Sequence, residues 1–170
     1  MTARRARPVS PTLWILAPMA AVIAASLVLA VPLRVAGLQL PEPVFALAPA
    51  FAWAIVRPSI WPPLALGVLG VCLDLIWETP VGFWAICLLA AYAFVFFSRR
   101  TLAGQDVWVL WAAYGAACGV AFLVGFGLSW LRAGDAPSLA GVGLQFAVTA
   151  ALFPFAWKLV ERYESADTRF

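Results

Sequence analysis

This chain reads as an all-α integral membrane protein of six transmembrane helices. Three observations predict that class. Of its 170 residues, 65% are hydrophobic and only 11% charged, whereas a soluble domain is about 45–50% apolar and about 25% charged. The apolar residues fall into six runs, about 12–33, 43–56, 62–78, 81–98, 107–130 and 138–158, parted by short polar or proline-rich breaks. The basic residues are unequally shared between alternate breaks. With the N-terminus inside, Arg4, Arg5, Arg7, Arg57, Arg99, Arg100, Lys158, Arg162 and Arg169 lie on one side, and only Arg34 and Arg132 on the other. Such a bias over short loops is the positive-inside signature. It favours an even number of spans with both termini cytoplasmic. Five spans would put either the N-terminal arginines or the Lys158–Arg162 end outside.

The first run follows three arginines, as in a signal peptide, but it continues to about Val35. A signal h-region is about 7–15 residues, so a full span is expected, carrying Pro18 and Pro32. The second and third runs are short for a hydrocarbon core that needs about 20 residues. They lie among Pro41, Pro43, Pro49, Pro58, Pro62, Pro63 and Pro80. Proline removes a backbone donor, so tilted, kinked or half-buried helices are expected there. The fourth run ends on Arg99-Arg100, and the fifth and sixth are long enough to cross. Trp14, Trp61, Trp77, Trp108, Trp130 and Trp157 fall near run ends, where indole rings favour the interface. Residues 159–170 form a short charged cytoplasmic tail. No break is long enough to fold by itself and no internal repeat is visible. The expectation is one transmembrane domain over 1–170, with no soluble catalytic part.

The chemistry concentrates in the third run. Pro63, Gly67, Gly70, Asp74 and Glu78 follow steps of four, three, four and four, so they share one helical stripe. The stripe is small and acidic on an otherwise Leu-, Val- and Ile-rich helix, which suits close approach to another helix. Counted from Pro62, Asp74 lies about 18 Å along the helix axis at about 1.5 Å per residue, in the outer half of the membrane. An intramembrane carboxylate is by default a functional-site hypothesis. Three readings are open: a helix-end carboxylate that reaches water or pairs with Arg34 or Arg132, a contact residue for a partner or ligand, and a catalytic acid. The last lacks a nucleophile or a paired carboxylate.

Other candidates are weaker. Gly115 and Gly119 form a GxxxG pair, though a chain with 12 glycines makes one such pair nearly by chance. Gly141, Gln145 and Thr149 share a polar seam in the sixth run; with Asp74 and Ser26 they exhaust most of the intramembrane polar inventory. Arg57-Pro58 and Arg99-Arg100 sit at inner run ends, where they set topology and meet anionic lipid, or dock a partner. Cys72, Cys87 and Cys118 all lie in apolar runs and read as small buried residues, not disulfides or metal ligands. Histidine is absent from the sequence, which removes the commonest metal ligand and general base. P-loop, GxSxG, HExxH and CxxC motifs are also missing, as is any nucleic-acid motif. No cofactor, metal or nucleic-acid partner is expected, and no enzyme activity.

Trp53-Ala-Ile-Val-Arg57-Pro58, then Pro62 or Pro63, Gly70-x-x-x-Asp74-Leu75, Pro80-x-Gly82, Arg99-Arg100 and an aromatic-rich next run together resemble the MreD family. These are rod-shape-determining proteins of the bacterial inner membrane, and the Arg-Pro form is similar to the alphaproteobacterial branch. The resemblance covers about residues 45–115 by motif and the whole chain by run pattern. It implies a compact bundle resembling the substrate-binding subunits of energy-coupling-factor transporters. It also implies a non-enzymatic scaffold or regulator of peptidoglycan synthesis in cell elongation. The implied partners are an MreC-like protein, MreB, a RodA-type polymerase and a class B penicillin-binding protein. One departure stands out: many members have a Gly- or Ser-rich turn after the Asp-Leu pair, where this chain has Ile76-Trp77-Glu78-Thr79. A small-molecule-binding subunit of a transporter is the alternative function, and it would need convergent polar groups around a pocket.

Overall fold

In a computed structural model, the described residues of the chain are mostly helical. The structure describes residues 11–29, 34–35, 38–39, 43–56, 59–133 and 138–167. Seven helices run in chain order: α1 Pro11–Leu29, α2 Leu47–Val56, α3 Trp61–Ile76, α4 Phe83–Leu102, α5 Val107–Ala133, α6 Leu139–Ala150 and α7 Phe153–Asp167. Between α1 and α2 a two-residue antiparallel ladder, β1 Arg34–Val35 and β2 Leu38–Gln39, pairs Arg34 with Gln39 and Val35 with Leu38. The sequence reading has no counterpart to that ladder. Arg57, Pro58 and the N-terminal arginines lie outside the described residues.

The shortest full helix is the centre of the molecule. In α2, every residue from Leu47 to Ala54 is buried. The reason is compositional. LAPAFAWAIV is apolar around its whole circumference, and such a helix is buried on all sides. Its alanines admit close neighbours, and α3, α4, α5 and α7 pack around it. α4 lies between α3 and α5, α1 packs on α3, and α6 packs on α5. Aromatic contacts tie the layers: Phe51 of α2 meets Tyr114 of α5 edge-on at 5.3 Å, and Trp14 of α1 lies 6.1 Å from Trp53.

Helix ends follow their local chemistry. α3 opens Trp61-Pro62-Pro63, prolines in a first turn where the missing N–H costs nothing. α4 ends on Arg99 and Arg100, favourable at a helix C-terminus, followed by Gly104 at φ 76°. The expected sixth span, 138–158, is broken at Ala151-Leu152 into α6 and α7. Pro154 explains the break, since it cannot donate to a carbonyl one turn back. α7 then continues to Asp167, through most of the segment assigned to a tail.

Among the described residues, three helical stretches are long and apolar enough to cross a membrane: Phe83–Leu102, Val107–Arg132 and Leu139–Glu161. Trp14–Val28, Leu47–Val56 and Trp61–Ile76 are apolar but shorter. Outward-facing residues are apolar too, with Leu64, Val68 and Leu75 of α3 all more than half exposed. Contiguous exposed apolar surface of that kind is rare on soluble monomers.

Candidate functional site

The α3–α4 corner carries the densest polar geometry. α3 ends in a Schellman turn: Trp77 N–H donates to the Leu73 carbonyl at 2.9 Å and Thr79 N–H to the Asp74 carbonyl at 2.9 Å. Glu78 occupies the left-handed position of that turn, at φ 53°, and is exposed. Glycine is the usual residue there, so the Ile76-Trp77-Glu78-Thr79 departure has a backbone consequence. A left-handed non-glycine residue costs roughly 1–2 kcal/mol, and glycine gives back part of that through unfolded-chain entropy. Glu78→Gly should therefore raise stability by up to about 1 kcal/mol, read as a higher unfolding midpoint of the detergent-solubilised protein.

Asp74 is 1% exposed, on the last turn of α3. Its Oδ1 accepts the Thr79 hydroxyl at 2.7 Å and the Trp84 N–H at 2.9 Å; its Oδ2 accepts the Gly82 N–H at 2.7 Å. Gly82 is the N-cap of α4 at φ 92°, without a side chain of its own to cap the helix, and no acidic residue stands in the first turn. The carboxylate of α3 supplies both missing items. It satisfies orphan N–H groups of α4 and places an acceptor at the positive end of the helix dipole. Asp74 is thus closed off from water, and its hydrogen bonds close the turn to the next helix. Trp77 and Trp84 pack edge-to-face over this corner at 5.1 Å.

One turn below, α3 and α4 touch backbone to backbone. A Cβ on Gly70 would lie 2.3 Å from Ala85 Cα and 2.4 Å from Ala85 N. Gly70 and Asp74 therefore form one clasp on α4, the first by shape and the second by hydrogen bonds. The rest of the stripe does not join it. Gly67 has open space where a Cβ would stand, and Glu78 points away from the corner.

The other sequence candidates disperse. A Cβ on Gly115 would meet nothing within 4 Å, and one on Gly119 only Phe146 at 3.9 Å. The close approach on α5 is at Gly125 instead, against Phe83 at 3.3 Å and Cys87 Sγ at 3.4 Å. Arg99 lies over the Phe96 ring at 4.6 Å and Arg100 is exposed. Of the α6 seam, Gly141 is exposed, Gln145 half-buried and Thr149 fully buried.

Thr149 is the second polar node. Its hydroxyl accepts the Val44 N–H at 3.2 Å and donates to the Gln145 carbonyl at 2.7 Å, while its carbonyl accepts the Tyr114 hydroxyl at 3.3 Å. It joins the non-helical entry to α2 with α5 and α6 in apolar surroundings. The Thr149 hydroxyl was readable as polar, but the Val44 amide 105 residues away carries no sequence signal. Thr149→Val should strand that N–H and cost about 1–3 kcal/mol. Thr149→Ser should stay close to wild type; thermal unfolding in detergent separates the two.

The three cysteines are free. Among the described residues no three His, Cys, Asp or Glu side chains gather as metal ligands. The fold and these nodes define a class, a helical membrane protein in which buried Asp74 and Thr149 link one helix to another. Compared with protein-family models, with curated proteins and with solved structures, the chain matches none.

Proposed function

We propose that the chain is an MreD-like, non-enzymatic scaffold of the bacterial inner membrane. In this reading it crosses six times with both termini cytoplasmic. It binds an MreC-like single-span partner and works in the elongation complex with MreB, a RodA-type polymerase and a class B penicillin-binding protein. One observation carries the reading. The interior polar groups of Asp74 and Thr149 are consumed by helix-to-helix hydrogen bonds and do not converge on a pocket. A protein whose polar groups fix its own shape is suited to presenting a rigid surface. The alternative of a small-molecule-binding transporter subunit wants several polar groups facing one cavity. The residues quoted for the family resemblance also contain the clasp, Gly70, Asp74 and Gly82.

Six crossings are supported by the wrapping of α2. Ten helical residues reach only about 15 Å, half of a core about 30 Å thick. Its entry segment must then cross part of the core without helix, which is tolerated only inside protein. Val44 is buried there and its N–H is held by Thr149. α6 and α7 together make one further crossing. Reporter fusions test this: one after Phe170 should read cytoplasmic and one within 133–137 external. For the function, depletion should round or widen rod-shaped cells, and the purified protein should co-isolate with an MreC-like protein. Unchanged shape and wall incorporation, with no such partner, would refute the assignment.

A further inference from the structure

A groove of about 620 Å³ opens on the flank of the bundle between the start of α5 and the α6–α7 break. Trp108 and Trp111 form one wall, packed edge-to-face at 6.0 Å; Phe153, Pro154 and Trp157 form the other, and Ala151 the floor of the break. The groove exists because Pro154 interrupts the helix: the turn at Ala151-Leu152 leaves a gap that a continuous helix would fill. Its lining is apolar. Trp108 is 76% exposed, an indole left at the rim. Tryptophan in that setting marks the level where hydrocarbon meets headgroups.

The lining itself carries no charge, and Lys158 directly follows its last residue, Trp157. Lys158 stands four residues after Pro154, hence on the same stripe of α7 one turn further on, and is exposed. The link between α4 and α5 is residues 103–106, so Arg99 and Arg100 end α4 at the same end of the bundle as Trp108. Asp106 and Glu161 are exposed there too and reduce the net positive field.

We infer that this groove holds one acyl chain of an anionic phospholipid, with Lys158 facing its phosphate. The apolar trough accepts the chain, the tryptophans fix its depth, and the lysine stem reaches the headgroup level. The site rests on the membrane character of the fold and not on the scaffold reading, so either stands without the other. One cation at a membrane surface is worth about fivefold at most, and the partial offset by Asp106 and Glu161 lowers the preference to about two- to threefold.

Native mass spectrometry of the purified full chain tests this, after incubation with phosphatidylglycerol or phosphatidylcholine at equal concentration. The wild type should retain one phosphatidylglycerol, about two- to threefold over phosphatidylcholine. Lys158→Gln should abolish the preference while still retaining lipid. Ala151→Trp, which fills the floor, should cut retention of both lipids by tenfold or more. A matched thermal melt checks that this variant folds; if it does not, the Lys158→Gln comparison decides alone. Equal retention of the two lipids by wild type and Lys158→Gln would overturn the inference. So would retention by a folded Ala151→Trp, or a dimer or bound-protein mass that Ala151→Trp removes, which would put a polypeptide in the groove.

Discussion

Gly70→Ala is expected to destabilise the protein nearly as much as Gly70→Leu. The obstacle is the first carbon. A Cβ at residue 70 would lie 2.3 Å from Ala85 Cα and 2.4 Å from Ala85 N, so α3 and α4 must part before any longer side chain matters. Overpacking in a close-packed interior costs about 1–3 kcal/mol, and more where the opposing atoms are backbone. About 3 kcal/mol or more is expected for both variants on that basis. Gly67→Ala is the control on the same helix, and with open space at that position it should be near neutral. Ala85→Gly should fail to rescue Gly70→Ala, because two of the three nearest atoms belong to the Ala85 backbone. Thermal unfolding of the four proteins in one detergent reads the order.

Asp74→Ala is expected to be at least as damaging. It removes the acceptor from the buried Trp84 amide and from the part-buried Gly82 amide and Thr79 hydroxyl. An unsatisfied buried donor costs about 1–3 kcal/mol, so about 3 kcal/mol or more is the expected scale for the three together, the two part-buried donors contributing less than the Trp84 amide. Asp74→Asn should fall between. Its one carbonyl oxygen can keep either the Oδ1 or the Oδ2 bonds, and its amide group then confronts a remaining donor. The order Asp, Asn, Ala should hold in the isolated protein without any partner. In cells, both Asp74→Ala and Gly70→Leu should fail to complement, through loss of the α3–α4 corner. Glu78→Ala should be mild, since the Glu78 side chain is exposed.

The stripe is legible because five residues, Pro63, Gly67, Gly70, Asp74 and Glu78, obey helical spacing. Which of them matter is not. The partners of Asp74 are main-chain amides of Gly82 and Trp84, and an amide looks the same at every position. Gly70 and Gly67 are equivalent letters until Ala85 is placed against one of them. The Gly115–Gly119 motif shows the same limit: spacing proposes a close approach, but the neighbour decides, and on α5 it lies at Gly125. The burial of α2 was implicit in its all-apolar circumference, though its short length read as a marginal span. The break at Ala151-Leu152 is not part of the sequence expectation, which has 138–158 as one span, although Pro154 inside that apolar run is its physical cause. Thr149 was placed on a polar seam, yet its bond to Val44 joins segments that only tertiary packing brings together.

The central claim is that Asp74 holds the start of α4 within its own chain. Amide hydrogen exchange at Gly82 and Trp84, in the purified full chain without partners, tests it most directly. Both amides should be protected in the wild type. In Asp74→Ala their exchange should rise by about a hundredfold or more, the scale of a local loss of about 3 kcal/mol. Amides in the middle of α5 should change far less. Unchanged exchange at Gly82 and Trp84 in Asp74→Ala would contradict the clasp and return Asp74 to a contact made outside the chain.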